Sequence, residues 1–159
     1  MIKGTDIRRF VVNKLNESFF DIDVLNPNVE EDYLKDVFFI YIDNLTWRSH
    51  SNGMNLYNYE IQIQYQEKGD IELMEMGEIL CAIFNGTMPI EVIEDGKLIS
   101  KKHVLVNSGT AEIIQKNLFY TFNIIFTAPK AKGFEIGELM TRLHVNTDEK
   151  FELIKGRNE

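Results

Sequence analysis

The residue types that most often carry out chemistry in proteins are scattered along this chain. Its three histidines, His50, His103 and His144, lie far apart, and none has a cysteine or a second histidine at metal-binding spacing. The single cysteine, Cys81, falls in an apolar helical stretch, where we expect a buried side chain. A nucleophilic cysteine needs a nearby base, and the sequence nominates none. These residues predict neither a metal site nor a thiol nucleophile.

The carboxylates and glycines, like the histidines and the cysteine, do not indicate a catalytic site. The acidic run at 30–32 fits a solvated loop, and Glu72, Glu75 and Glu78 fit the polar side of a helix. The ten glycines occur singly in turns and caps and form no phosphate-binding loop. No serine or cysteine lies in a nucleophile-elbow context. We therefore expect no enzyme activity and no cofactor.

The least usual polar and aromatic stretch lies at residues 45–50. Trp47 and Arg48 are residue types favoured at interaction hot spots. Trp47 can equally be a half-buried strand residue with Arg48 directed to solvent, and both interpretations stay open. Downstream, a clear alternating strand places Glu60, Gln62 and Gln64 on a face that meets water or a neighbouring subunit.

The chain is acidic, with a formal net charge of −8. A protein that grips nucleic acid concentrates lysine and arginine on one face, whereas here the basic residues are dispersed. We expect no sequence-specific nucleic-acid binding, although an acidic protein can lie beside DNA without adhering to it. No apolar run reaches the ~20 residues needed to cross a bilayer, and the N-terminus leads into an amphipathic helix. We expect no membrane partner and assembly in the cytoplasm.

Hydrophobic periodicity predicts one helix and four strands in the first half, at 5–18, 21–25, 37–42, 45–50 and 59–65. Thr5 is the expected N-cap of the helix. The connecting segments are turns at 26–28, 43–44 and 51–53 and an exposed loop at 29–36. With 159 residues and a hydrophobic fraction of 44%, the chain can fill the core of one domain.

The second half begins with a helix that is predicted to start at the N-cap Asp70, to end at Asn85 and Gly86, and to bury both Met74 and Met76. The strands that follow are expected at 90–93, 98–99, 111–114 and 118–126, and residues 103–106 can continue the second of them. A turn is expected at 95–96 and a break at 107–109. A short helical pattern then comprises Ile136, Leu139, Met140 and Leu143. The expected fold is α+β, an antiparallel or mixed sheet with two main helices on one side and a short C-terminal helix.

Several short motifs occur together in a characteristic order. They are V-x-K-L-N at 12–16, F-F-I at 38–40, a Y-x-I-x-Y-like strand at 59–65 before an acidic helix at 71–84, an aromatic strand at 119–122 and L-M-x-x-L-x-V-N at 139–146. In this order and spacing, the chain resembles the tail terminator family of phages and prophages of low-GC Gram-positive bacteria. The resemblance covers residues 1–146, so 147–159 is expected to be a C-terminal extension that can be flexible.

The resemblance implies a structural virion protein without cofactor or catalytic residue. Such a subunit forms a hexameric ring that caps the tail tube, stops its elongation and meets the head connector or collar, and in a contractile tail also the sheath. Alternatives are a neck, head-completion or sheath-capping protein of the same particle, and more distantly a small cytoplasmic ligand-binding protein. Ring subunits need two unlike contact surfaces. The candidate interface residues are Trp47, Arg48, His50, Glu60, Gln62 and Gln64.

Overall fold

The computed structural model describes residues 1–25, 36–66 and 73–130. The described elements are, in order, α1 (Gly4–Ser18), β1 (Asp23–Leu25), β2 (Val37–Ser49), β3 (Met54–Gln66), α2 (Leu73–Ile83), β4 (Gly86–Glu94), β5 (Lys97–Ile114) and β6 (Asn117–Pro129). The predicted α+β fold is confirmed. The predicted loop at 29–36 lies outside the described residues except for Asp36. The turn at 26–28, the N-cap Asp70, the helical pattern after residue 135 and the boundary at 146 lie outside them entirely.

The six strands form one mixed sheet in the order β1-β2-β3-β6-β5-β4. β1 pairs in parallel with the first three residues of β2, and the other pairs are antiparallel. The central strands β3 and β6 pair along their whole length, from Met54 opposite Pro129 to Gln66 opposite Asn117. β2 and β5 therefore flank this centre. β4 forms the edge beyond β5, and β1 covers only the first residues of β2 at the other edge.

Three tight hairpin turns hold these long strands in register. Each places two consecutive residues at positive φ, between 47° and 75°, which is the geometry of a type I′ turn. The turns are Asn52-Gly53, Asp95-Gly96 and Gln115-Lys116. The first two carry the expected sequence signal and are confirmed. The third has no such signal, because neither Gln nor Lys is typical of this conformation.

Two predicted interruptions are β-bulges. The turn expected at Asp43 and Asn44 is wrong, because β2 continues through it with a register shift between Ile42 and Asn44. Asp43 is the extra residue. Beyond it, the alternation of side chains between the two sheet faces is reversed, so Leu45 lies on the same face as Ile42.

The break expected at 107–109 is also wrong, since β5 runs through it with a register shift between Asn107 and Thr110. A Cβ atom on Gly109 would lie 1.4 Å from the carbonyl oxygen of Thr121. Only glycine permits β6 to approach β5 so closely at this position. The Gly109 N–H also donates to the Tyr120 hydroxyl at 3.1 Å, which links the bulge to the neighbouring strand.

Both described helices contribute to one hydrophobic core with the same sheet face, which we call the inner face. Phe84, at the end of α2, contacts Phe10 of α1 edge-on at 6.4 Å and stacks on Phe122 of β6 at 4.7 Å. The buried side chains of the inner face include Phe38, Ile40, Tyr59, Ile61, Ile63, Tyr65, Leu118, Tyr120, Phe122 and Ile124. Helices on one side of the sheet are thus confirmed.

Some expectations for single residues are corrected. Met76 is buried, but Met74 is 54% exposed, since it lies outside the stripe of α2 that faces the sheet. Cys81 is half-buried and not buried as expected. The N-cap of α1 is Lys3 and not Thr5, because Asp6, at the third helical position, accepts the backbone N–H of Lys3 at 2.9 Å.

Candidate interaction site

The sheet face opposite the helices is mainly polar on β3 and of mixed polarity on the neighbouring strands β2 and β6. β3 and β6 alternate buried inner residues with half-buried or exposed ones, whereas the first four residues of β2 are all buried. No helix of the described ranges packs on it. We call this surface the outer face, and its residues are Val37, Phe39, Tyr41, Asn44, Thr46 and Arg48 of β2, Leu56, Asn58, Glu60, Gln62, Gln64 and Gln66 of β3, and Phe119, Thr121, Asn123, Ile125 and Thr127 of β6.

The amide side chains of β3 form the centre of the outer face. Gln62 lies between Tyr41 and Thr121, and Gln64 accepts a hydrogen bond from the Tyr41 hydroxyl at 3.1 Å. Side-chain amides both donate and accept, so such a row can bind another polar surface without a matching opposite charge. The three candidates Glu60, Gln62 and Gln64 therefore lie together in one half-buried row.

The remaining three candidates are separated from this row. Arg48 is on the outer face, opposite Leu56, at the far end of β2. Trp47 pairs with Tyr57 and so belongs to the inner face, although it is 63% exposed. His50 follows the strand, and its backbone N–H donates to the Met54 carbonyl at 2.9 Å. The six residues therefore form no single cluster.

A small cavity opens beside Arg48. It has a volume of about 350 Å³ and is lined by Thr46, Trp47, Arg48, Leu56, Asn58 and Ile125. The Asn58 Oδ1 atom is buried and has no hydrogen-bond partner among the described residues. A buried acceptor left unpaired costs free energy, so this atom favours an incoming N–H or O–H donor. The sequence carries no signal for Asn58, because its type and position are ordinary for a polar strand residue.

The two edges of the sheet differ. At the β4 edge, the buried carboxylate of Asp6 accepts the backbone N–H of Ile93 at 3.3 Å and the Arg9 guanidinium at 3.2 Å. At the β2 edge, β1 pairs only as far as Phe39, and Arg8 donates to the Ile40 carbonyl at 3.3 Å. Among the described residues nothing pairs with the edge from Asn44 to Ser49, which we call the open edge.

Two buried phenols have perturbed acidity but no catalytic environment. Burial raises the pKa of Tyr59, and nearby Tyr57 and Asp6 raise it further. Burial also raises the pKa of Tyr120, against the opposing effect of the hydrogen bond from Gly109. Because an ordinary tyrosine ionises near pH ~10, both hydroxyls are neutral at physiological pH and act as hydrogen-bonding groups.

Within residues 1–25, 36–66 and 73–130, no cluster of three or more histidine, cysteine or acidic side chains is placed to hold a metal ion. In the same ranges, none of the helices combines the length and the hydropathy needed to span a membrane.

An α+β domain whose outer face carries no helix of the described ranges, and whose two sheet edges differ, has the surfaces of a structural assembly protein. Residues 6–133 match the family described as "Phage tail terminator protein", and the chain belongs to this family. No curated protein matches the chain. The family is structural, so the chain is a structural component of a phage particle and interacts with other tail or virion proteins. The resemblance found in the sequence is confirmed at this level.

Proposed function

We propose that this chain forms a hexameric ring that caps the tail tube, stops the addition of further tube subunits and presents a surface to the head connector or collar. The family supports the role. The structural observation that carries the proposal is the difference between the two sheet edges, since the β4 edge is bound by Asp6 and the open edge is not. A closed ring is built from heterologous contacts, in which two different surfaces of each subunit meet.

The outer face supplies the surface for protein partners. Its central row has one charged side chain, Glu60, beside Gln62 and Gln64, so it can hydrogen-bond a partner at low electrostatic desolvation cost. Arg48 and His50 lie exposed at the hairpin end of β2, where they can contact a neighbouring subunit or the tube. We propose these five residues as contacts with the tube, with other copies of the chain or, in a contractile tail, with the sheath.

The charge of the chain fits a particle through which DNA passes. A net charge of −8 without a basic cluster lets DNA slide past without adhering, because like charges repel. We therefore propose that the chain makes no sequence-specific contact with DNA. Assembly of the ring onto the tube takes place in the bacterial cytoplasm before the particle is released.

The test is a tube-assembly assay with the tail-tube protein of the same particle. Tubes are polymerised with and without this chain, and their lengths and ends are measured by electron microscopy. We expect shorter tubes with a ring-shaped density at one end, and a concentration-dependent hexamer by native mass spectrometry or on the tube itself. Unchanged tube lengths and bare ends would contradict the proposal. Binding to isolated heads or to sheath alone would favour the neck or sheath-capping alternative.

A further inference from the structure

A row of aromatic side chains at one end of the inner face is only partly covered. Trp47, Tyr57 and Phe126 face one another across β2, β3 and β6. Tyr57 stacks on Phe126 at 5.4 Å, and Phe126 is 7% exposed, while Trp47 at the edge is 63% exposed. We call these three residues the aromatic row. At the β2 end of this row, the large apolar side chain of Trp47 is exposed to water beside a buried core.

The two described helices account for the coverage elsewhere on this face. α2 packs on β5 and β6, and α1 packs on β4, β1 and β2. α1 reaches β2 at Ile40, where Arg8 donates to the backbone carbonyl. Trp47 lies seven residues further along β2, a distance of about 20 Å along a strand. Among the described residues, no side chain stacks on Trp47.

The chain leaves the described part of the structure beside this row. The backbone N–H of Lys130 donates to the Gly53 carbonyl at 2.7 Å, and its ammonium group donates to the Ser49 hydroxyl. Ser49 is two residues from Trp47 on the same strand, and alternate strand residues share a face. The segment that follows Lys130 therefore starts beside the β6 end of the aromatic row, with the Lys130 side chain reaching across to β2 at Ser49.

An apolar cavity lies at the β6 end of the same row. It has a volume of about 430 Å³ and is lined in part by Ile2, Met54, Phe126, Ala128 and Pro129. Its wall includes the last residues of β6, immediately before Lys130. Apolar space thus flanks Phe126 where the chain leaves the described part.

The segment after Lys130 has the residues needed to fill this end of the core. Ile136, Leu139, Met140 and Leu143 recur at helical spacing and form one apolar stripe. The stripe begins six residues after Lys130, within an extended reach of about 20 Å. A short connection also gives the segment a high effective concentration at the aromatic row.

We propose that this apolar stripe packs against Trp47 and Tyr57 of the same molecule. It thereby covers the end of the inner face that α1 and α2 do not reach. Trp47 is then a core residue of the complete chain and not a contact between subunits. The anchoring of Lys130 at Ser49 and Gly53 favours the segment of the same molecule over that of a second copy.

Trp47 is the single tryptophan of the chain, so its fluorescence reports its own environment. In the full-length protein, the double variant Leu139→Glu/Leu143→Glu should shift the emission maximum to longer wavelength and increase quenching by acrylamide. The matched control Phe151→Glu/Leu153→Glu, in the proposed extension, should leave both quantities unchanged. A wild-type emission and quenching equal to those of a free indole, or no difference between the two double variants, would overturn the proposal.

A reciprocal measurement covers the case in which the glutamate variants fail to fold. In the full-length Trp47→Ala variant, hydrogen exchange should accelerate in peptides that span 136–143 and stay unchanged in β4. Unchanged exchange at 136–143 would count against the contact. Protection of Trp47 that disappears on dilution would assign the covering segment to a second copy and would equally overturn the proposal.

Discussion

The buried carboxylate of Asp6 accepts the backbone N–H of Ile93 at 3.3 Å, joining the first turn of α1 to the edge strand β4 across 87 positions of sequence. The same carboxylate accepts the Lys3 N–H at 2.9 Å and is 1% exposed. One side chain therefore begins a helix and occupies a backbone donor of the sheet edge. This contact makes the β4 edge different from the open edge of β2.

Replacing Asp6 should destabilise the domain. Asp6→Ala leaves the Lys3 and Ile93 N–H groups and the Arg9 guanidinium without this acceptor, and an unpaired buried donor costs about 1–3 kcal/mol. We expect a loss of that size or more in the free energy of unfolding, measured by urea denaturation. Asp21→Ala, at an exposed carboxylate, is the control. Equal losses in both variants would show that the hydrogen bonds of Asp6 do not stabilise the domain.

The bulge in β5 should tolerate no side chain at Gly109. A Cβ atom there would lie 1.4 Å from the Thr121 oxygen, so β6 would have to move away and break its pairing. We expect Gly109→Ala to cost about 3 kcal/mol or more, the upper end for overpacking. Gly4→Ala is the control, since nothing lies within 4 Å of a Cβ atom at Gly4. Similar thermal unfolding of both variants would contradict the close approach.

Stability should fall at alkaline pH because of the two buried phenols. Burial raises the pKa of Tyr59 and of Tyr120 in the folded state above the value in the unfolded chain. Above about pH 10 the unfolded chain loses these protons first, so the free energy of unfolding decreases as pH rises. Tyr59→Phe and Tyr120→Phe should each flatten this decrease, measured by denaturation between neutral and alkaline pH.

The control for the pH prediction is Ile63→Val, which alters the core without removing an ionisable group. It should leave the alkaline slope as in the wild type. Tyr120→Phe should also lower stability at neutral pH by about 1 kcal/mol, because the Gly109 N–H loses its acceptor. An alkaline slope that is the same in all three variants would show that other groups control it.

Features that depend on neighbouring residues could be predicted from the sequence. The alternation around Ile61 and Ile63 identifies β3 and its buried face, and the Asn52-Gly53 and Asp95-Gly96 pairs identify two hairpins. These signals are local, since a strand's period and a turn's φ angles are properties of a few consecutive residues. The α+β class follows from their order along the chain.

Features that depend on distant partners could not be predicted. Asp43 looks like a turn residue, and only pairing with β3 makes it a bulge that places Trp47 on the inner face and Arg48 on the outer face. Gly109 likewise gains its role from Thr121 on the next strand. The face on which each candidate residue of β2 lies could not be predicted either, because the alternation along β2 reverses at a position set by tertiary pairing.

The outer face should be sensitive to charge at its centre if it binds the tube or another subunit. Gln62 lies between Tyr41 and Thr121 and is half-buried, so Gln62→Arg adds a charge that a partner must desolvate. Substitution of a hot-spot residue at an interface costs about 2 kcal/mol or more, so we expect capping of tail tubes to weaken by roughly 30-fold. The measurement is tube length against protein concentration, by electron microscopy.

The matched control for Gln62→Arg is Met74→Arg, which places the same charge on the exposed side of α2. Both variants should keep the wild-type free energy of unfolding within about 0.5 kcal/mol, since neither side chain is in the core. Capping should then weaken in the first variant and stay unchanged in the second. Equal capping by both variants would show that the centre of the outer face is not part of the contact surface. Weaker capping by both would show that α2 takes part in the contact as well.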